Sequence, residues 1–188
     1  VWDVEKGVPS ECQDKAWQTC SCLGTWHYNR SAYEDNWYKS AETVIHMLID
    51  IVSKNGNLLL SVPMKGNGTI DDKEEKILED IAAWMEVNGE GIFDTRPWCI
   101  YGEGPSTETA IPLDGAGFNE GKNAPYTSAD IRFVKKGKYL YAHIMKWPSD
   151  GKIQIKSLAT GSPYCKGEIE KVELLGLSLI HISEPTRH

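Results

Sequence analysis

The fold of this chain is decided by residues 50–70, which read DIVSKNGNLLLSVPMKGNGTI. An apolar run at 57–63 is short and has turn residues on both sides, which is typical of a strand buried on both faces of a parallel sheet. Periodic helical segments precede and follow this run, which gives the strand–helix rhythm of a βαβ unit. In such folds ligand chemistry lies in the loop that leaves the carboxyl end of a strand, here residues 63–70.

The two flanking helices carry start and stop signals. Ser40 can cap the first helix, because its hydroxyl accepts a hydrogen bond from a free amide of the first turn. Asp71 can cap the second, with Glu74 three residues later as in a capping box, and Asn88 with Gly89 provides the stop. The apolar positions that share a helical face are Val44, Leu48, Ile51 and Val52 in the first helix, and Ile77, Ile81, Trp84 and Met85 in the second.

The remaining segments differ on the two sides of Phe93, where we place a domain boundary. Upstream, residues 1–4 are a candidate strand, 16–23 are partly extended, and 30–39 have no regular period. Downstream, alternating segments separated by turns are typical of an antiparallel sheet. The predicted strands there include residues 131–133, 139–145, 153–155 and 171–175, and residues 106–128 form a long loop.

The composition narrows the class of protein. Hydrophobic residues make up 40% and charged residues 25% of the 188 residues, so the chain can bury a sizeable core. A net charge of −7 argues against nucleic acid as a partner, since phosphate binding needs a basic surface. No apolar run is long enough to span a bilayer, which argues against a membrane partner. Five cysteines without a C-x-x-C pair argue against a structural zinc site and leave the redox compartment open.

Several motifs in order resemble one enzyme family. They are WQTC (17–20), LGTWHYN (23–29), VSKNGNLLLSVPMKGNGTI (52–70), NGEGIFDTRPW (88–98) and YGEGP (101–105). Together they resemble the α-L-fucosidases of glycoside hydrolase family 29, densely from Val1 to about Pro105. The resemblance implies the C-terminal part of a (β/α)8-type barrel in residues 1–93, followed by part of an antiparallel β-sandwich in residues 94–176.

The resemblance also implies retaining hydrolysis of terminal α-L-fucose from fucosylated glycans, with no cofactor and no metal. Retaining glycosidases use one carboxylate as nucleophile and a second carboxyl group as acid and base, about 5 Å apart. The family's aspartate nucleophile and its fucose-binding histidine pair precede the matched segments, so we expect this chain to lack both. A secreted, periplasmic or lysosomal location is expected from the family, and the oligomeric state is left open.

Glu5 is the acid/base that the resemblance assigns. Family members carry a tryptophan–aspartate pair followed within a few residues by a glutamate, and the WDVEKG motif from Trp2 matches this pattern. Glu5 follows a predicted strand, where barrel enzymes carry catalytic residues, and burial against rings such as Trp26 would raise the pKa of a working acid. Asp3 and Glu11 are the alternative candidates for the acid/base. If Glu5 is not catalytic, it is expected to be a solvated glutamate in a loop.

Trp26 is the candidate fucose-binding residue, since it aligns with an aromatic side chain that packs on the apolar face of the sugar in family members. Rings of this kind suit the CH groups and the methyl group of fucose, and a core tryptophan is the structural alternative. A carbohydrate-binding β-sandwich without catalysis is the alternative function, although the barrel-like motifs at 55–98 argue against it.

The two ends of the chain differ in character. Residues 1–4 already resemble a strand, without a starting methionine or a signal peptide, so we expect the chain to begin inside a domain. Residues 177–188, LSLIHISEPTRH, resemble the translation of a transposase adapter used in sequencing libraries. We therefore expect this tail to be non-native and exclude it from fold and function.

Overall fold

A three-stranded parallel sheet forms the first half of the molecule. The computed structural model describes residues 1–113 and 118–176, so the predicted non-native tail, residues 177–188, lies outside the described residues. The strands are all parallel and run in the order β1-β2-β3. Their bounds are Trp2–Glu5 for β1, Trp17–Cys22 for β2 and Gly56–Ser61 for β3, with helices α1 at Arg30–Glu34, α2 at Ala41–Ser53 and α3 at Asp72–Asn88.

A three-stranded antiparallel sheet in the order β4-β5-β6 forms the second half. Its bounds are Arg96–Glu103 for β4, Ile131–Lys136 for β5 and Tyr139–Ile144 for β6, with a short helix α4 at Pro105–Glu108 and 3-10 turns at Gly89–Gly91 and Lys156–Leu158. The predicted change from parallel to antiparallel structure is confirmed. The described residues form these two small sheets. They do not form a closed barrel, and they do not form the second antiparallel sheet that a complete β-sandwich would need.

The predicted helix caps are confirmed. The amide of Thr43 donates to the Ser40 hydroxyl at 3.1 Å, and the amide of Glu74 donates to the Asp71 carboxylate at 2.8 Å. Helix α3 ends just before Gly89 as its stop signal predicts. Among the described residues, no helix is long and apolar enough to cross a membrane.

Residues 30–39 differ from the prediction, because they contain the short helix α1. Asn29 caps this helix, with its side chain accepting from the amide of Ser31 at 2.9 Å. The helix has five residues and buries only Ala32, so it is too short to show an apolar period in the sequence.

Helix α2 covers one face of the parallel sheet. Trp17 in β2 is fully buried and packs with Val4 of β1 and Ile51 of α2. Gly56 in β3 pairs with Trp17, and a Cβ atom at this glycine would lie 2.5 Å from the indole and 2.9 Å from Ile51. The indole N–H donates to the carbonyl of Lys54 at 2.9 Å. This large side chain is therefore buried without leaving its one donor unpaired.

The opposite face of the parallel sheet is open in the described residues. Asn57 and Leu59 of β3 point to this face, and Leu59 is 55% exposed. The prediction of a strand buried on both faces is therefore wrong for the described residues. The reason is that α2 covers one face and the described chain leaves the other uncovered.

Two predicted strands of the second half are not formed. Residues 131–133 fall in β5 and residues 139–144 form β6, close to the prediction, whereas 153–155 and 171–175 contain no strand. Both of the latter segments carry alternating apolar residues, but they remain partly exposed, as Val172 is by 49%. Alternation alone does not make a strand, because a strand also needs a neighbour that pairs with its backbone groups.

A buried ion cluster joins the two halves. Asp50 of α2 accepts from Arg132 Nε of β5 at 2.6 Å and from Lys54 Nζ at 2.9 Å, and none of the three residues is more than 6% exposed. Arg132 also lies against the rings of Tyr101 and Tyr126, with centroids 5.4 and 5.3 Å away. Burial favours the neutral form of Asp50, but the two cations outweigh this effect and hold its pKa below the ordinary value.

We expect Asp50→Asn to lower the free energy of unfolding by about 3–5 kcal/mol, because it leaves two cations buried and uncompensated. Asp80→Asn is the matched control. Asp80 also pairs with a lysine four residues away on a helix, but that pair is exposed, and the expected change is below about 0.5 kcal/mol. Urea denaturation of both variants and the wild type measures the difference. Similar small changes in the two variants would show that the cluster does not hold the halves together.

Candidate active site

Glu5 is the last residue of β1 and lies at the carboxyl edge of the parallel sheet. It pairs with Cys20 of β2, which pairs with Leu59 of β3, so the three side chains share the open face of the sheet. The predicted position at a strand end is therefore confirmed. Glu5 is exposed, so the described residues do not provide the burial predicted for a working acid.

Trp26 lies at the same edge, four residues beyond the end of β2. Its ring centroid is 5.0 Å from Nζ of Lys6, the residue that follows Glu5. Lys6 has a left-handed backbone with φ of 46°, which is uncommon for a residue with a side chain. Trp26 is only partly buried, so it is not an enclosed core residue. The structure thus brings the loop after Glu5 and the face of Trp26 together.

The two alternative carboxylates occupy other positions. Asp3 shares the face of Glu5 but lies two residues inside the strand, where it accepts a hydrogen bond from the Gln18 side chain at 3.2 Å. The side-chain amide of Gln13 donates to the carbonyl of Glu11. The backbone amide of Gln13 donates to the carbonyl of Lys54, just before the amino end of β3. Glu11 therefore lies toward the opposite edge of the sheet, and only Glu5 of the three ends a strand.

Two residues of the loop between α4 and β5, Asn119 and Glu120, contact the segment that follows Glu5. The amide of Glu120 donates to the carbonyl of Lys6 at 2.9 Å. The side chain of Asn119 accepts from the amide of Val8 and donates to its carbonyl, each at 2.9 Å. The sequence carried no signal for these contacts, because the partners lie more than 110 positions apart and belong to no shared motif.

Both carboxylate oxygens of Glu120 are engaged. One accepts from the Ser21 hydroxyl at 2.5 Å, and the other lies 2.9 Å from the Lys39 ammonium. Lys39 also donates to the carbonyl of Cys22 at 2.7 Å. Glu120 therefore links its loop to the end of β2 and is not available as a free acid.

Two neighbouring carboxyl groups, those of Asp71 and Glu74, lie at the amino end of α3. Asp71 accepts from the Tyr38 hydroxyl at 2.6 Å in addition to capping the helix. Glu74 is fully buried, and neither of its carboxylate oxygens has a hydrogen-bond partner, so the return bond of the predicted capping box is not formed. Burial and the neighbouring charge of Asp71 raise the pKa of Glu74 above its ordinary value.

The arrangement at the strand ends limits the chemistry of the site. In the part of the chain that the structure describes, no group of three or more histidine, cysteine, aspartate or glutamate side chains could hold a metal ion. The five cysteines are free thiols. The site offers an accessible carboxyl group at Glu5, which can transfer a proton, and an aromatic face at Trp26, which can pack against apolar groups.

A model of the α-L-fucosidase family matches residues 2–90. This range contains all three parallel strands, together with Glu5 and Trp26. The chain resembles the α-L-fucosidase family over these residues, which are just under half of its length. The match ends before β4, so Asn119 and Glu120 lie outside the part of the chain that the family model covers.

Curated fucosidases and solved structures resemble the same chain. Plasma α-L-fucosidase of Homo sapiens is 28% identical over 170 residues, and that of Rattus norvegicus is 30% identical over 171 residues. Each alignment covers 89% of this chain and 31% of the relative, so the chain spans about a third of the length of these relatives.

Among solved structures, an α-L-fucosidase superposes with a TM-score of 0.62 at 25% identity, covering 78% of this chain and 29% of its own. The α-fucosidase of Thermotoga maritima, solved in complex with fucose, superposes with a TM-score of 0.57 at 26% identity, covering 77% of this chain and 29% of its own. The likeness in structure therefore extends beyond the residues that the family model covers.

Glu74→Gln is expected to stabilise the chain more at about pH 8 than at about pH 4. The raised pKa of Glu74 means that the folded chain holds this proton more tightly than the unfolded chain does, so stability falls as the pH rises through the folded-state pKa. A neutral glutamine removes this loss. Urea denaturation of wild type and variant at both pH values measures the effect.

Glu75→Gln, at an exposed position of the same helical turn, controls for the change in charge near the helix end. Contributions from other ionisable groups cancel when each variant is compared with the wild type at the same pH. A stability difference for Glu74→Gln that is equal at both pH values would contradict the prediction.

Proposed function

We propose that this chain is part of a retaining exo-α-L-fucosidase in which Glu5 is the general acid and base. In this reaction the acid protonates the leaving oxygen while a second carboxylate attacks the anomeric carbon. The same residue then acts as a base and activates the water that releases fucose. An aspartate upstream of Val1 would supply the nucleophile. The substrates would be glycans with terminal α-L-fucose, and neither a metal nor a cofactor is required for this chemistry.

The observation that carries the proposal is the position of Glu5. It ends a parallel strand, on the open face of the sheet, within the range that the family model matches. Catalytic residues of (β/α)-barrels occupy the carboxyl ends of strands. Exposure of Glu5 also leaves its carboxyl group accessible to a bound sugar.

Trp26 is proposed to pack against the apolar face of fucose. Trp26 follows the carboxyl end of β2, and Nζ of Lys6, the residue after Glu5, lies 5.0 Å from its ring centroid. The electron-rich face that attracts this cation also suits the polarised CH groups of a sugar. The Lys6 side chain would have to leave this face if the sugar binds to it.

We further propose that the parallel strands belong to a (β/α)8-type barrel and that the antiparallel strands belong to a β-sandwich. The face that carries Asp3, Glu5 and Leu59 would line the barrel interior, and α2 would belong to the outer ring of helices. The 55% exposure of Leu59 supports this arrangement, because an apolar side chain in the middle of a strand is normally covered.

A carbohydrate-binding β-sandwich without catalysis has less support. The first half of the described chain consists of parallel strands and helices, which such a module does not contain.

The chain by itself is expected to lack fucosidase activity. Retaining hydrolysis needs two carboxyl groups about 5 Å apart on either side of the scissile bond, and the proposal places only Glu5 on this chain. Release of the chromophore from an aryl α-L-fucoside, compared with a buffer blank, measures the activity. Turnover above the blank that disappears in Glu5→Ala would refute the expectation.

In the full-length enzyme, Glu5→Ala is expected to slow the turnover of fucosides with poor leaving groups by about 100-fold or more, the usual contribution of a positioned acid. Good leaving groups need less protonation, so formation of the fucosyl-enzyme should be slowed less. Azide should restore part of the turnover, because a small anion attacks the fucosyl-enzyme without a general base. Steady-state kinetics with a series of aryl fucosides measures these effects.

Asp3→Ala and Glu11→Ala are the matched controls, since each removes one of the alternative carboxylates. Both are expected to retain the leaving-group dependence of the wild type. Near-normal turnover in Glu5→Ala, combined with a loss in one of the controls, would transfer the acid/base role to that residue.

A further inference from the structure

The loop that follows Glu5, residues 6–8, is bonded on two sides. On the inner side its first amide donates to the carbonyl of Cys20 in β2 at 2.9 Å. On the outer side it is bonded to Asn119 and Glu120, which belong to the antiparallel half of the molecule. The direction in which the chain leaves Glu5 therefore depends on contacts with both halves.

Asn119 holds the end of this loop through its side-chain amide. Asn119 is 2% exposed, and its side chain makes two hydrogen bonds to the backbone of Val8, one as acceptor and one as donor, both at 2.9 Å. A further bond goes from its NH₂ group to the carbonyl of Ile111 at 2.7 Å. Because one bond uses the donor and the other the acceptor of the same amide group, together they fix both the orientation of Val8 and its distance from Asn119.

Glu120 anchors Asn119 to the parallel sheet. Its amide donates to the carbonyl of Lys6 at 2.9 Å, and its carboxylate binds Ser21 and Lys39 at the end of β2. The two neighbouring residues thus act as one clamp on residues 6–8, defined here as the Asn119–Glu120 clamp.

The backbone that the clamp holds is strained. Lys6, directly after Glu5, adopts a left-handed conformation with φ of 46° although it has a side chain. Such conformations persist where the surrounding structure over-determines them, and they cluster at functional sites. Here the amide and the carbonyl of Lys6 are both bonded, to Cys20 and to Glu120. These two hydrogen bonds therefore hold Lys6 in its left-handed conformation, and this conformation sets the direction in which the chain leaves Glu5.

We propose that Asn119 and Glu120 are positioning residues for Glu5, so that the antiparallel half takes part in catalysis by holding the acid/base in place. This inference rests on the proposed role of Glu5. Proton transfer tolerates little displacement of the acid, because the donor must lie within hydrogen-bond reach of the leaving oxygen. Loosening the clamp therefore impairs proton transfer, while the Trp26 platform keeps its place.

Amide hydrogen exchange of this chain tests the clamp directly. Asn119→Ala is expected to accelerate exchange of the Val8 amide by about tenfold or more, because it removes the acceptor that this amide has among the described residues. Asn123→Ala is the matched control, since Asn123 lies in the same loop but its side chain bonds the amide of Ile111. If Asn119→Ala fails to fold, Asn119→Ser answers the same question, because its short side chain cannot span both polar groups of Val8. Unchanged exchange at Val8 would overturn the proposal.

Kinetics of the full-length enzyme test the link to Glu5. Asn119→Ala is expected to lower kcat for a fucoside with a poor leaving group by about tenfold, with a smaller loss for a good leaving group and a nearly unchanged KM. In a Glu5→Ala background the same substitution should cause no further loss, because the clamp acts through Glu5. Asn123→Ala should behave like the wild type in both backgrounds.

Two kinds of failure are distinguishable. If Glu5→Ala shows the leaving-group dependence of an acid/base but Asn119→Ala slows both substrates equally, or adds to the loss in the double variant, the positioning role is overturned alone. If Glu5→Ala itself shows no leaving-group dependence, the proposed role of Glu5 fails and the positioning role fails with it.

Discussion

The buried ion pair between Asp50 and Arg132 is the contact on which the arrangement of the two halves depends. A carboxylate of α2 meets a guanidinium of β5 at 2.6 Å, and Lys54 supplies a second cation to the same carboxylate. Since all three groups have lost their hydration, burial is compensated by their mutual contacts and by the neighbouring tyrosine rings. The helix that carries Asp50 also packs on Trp17 in the parallel sheet. Helix α2 thus connects the core of the first sheet to the middle strand of the second.

This connection has a consequence for the candidate site. With β5 held against α2, the loop between α4 and β5 reaches the carboxyl edge of the parallel sheet, where Asn119 and Glu120 bond the segment after Glu5. The family model matches only residues 2–90, yet the surroundings of Glu5 are completed by residues beyond that range. The antiparallel half is therefore part of the local structure around Glu5 and not an appendage to it.

Elements with local signals were predictable from the sequence. The caps at Ser40 and Asp71 lie next to the amides that they bind, and the apolar run before Pro63 needed only its own length and flanking turns to be recognised as a strand. Predictions that depended on a distant partner failed. Residues 153–155 alternate like a strand without a pairing neighbour, and the open face of β3 lacks the covering layer that its apolar composition suggested.

The sequence by itself determined helices α2 and α3, the resemblance to the α-L-fucosidases, and the position of Glu5 at the end of a strand, because these depend on neighbouring residues and on motifs within the chain. Only the tertiary structure decided which side chains meet. Asp50 and Arg132 are 82 positions apart, and Val8 and Asn119 are 111 apart. A charged or amide side chain has no preferred partner in the sequence, since its partner is whichever group the packing of two sheets brings within bonding distance.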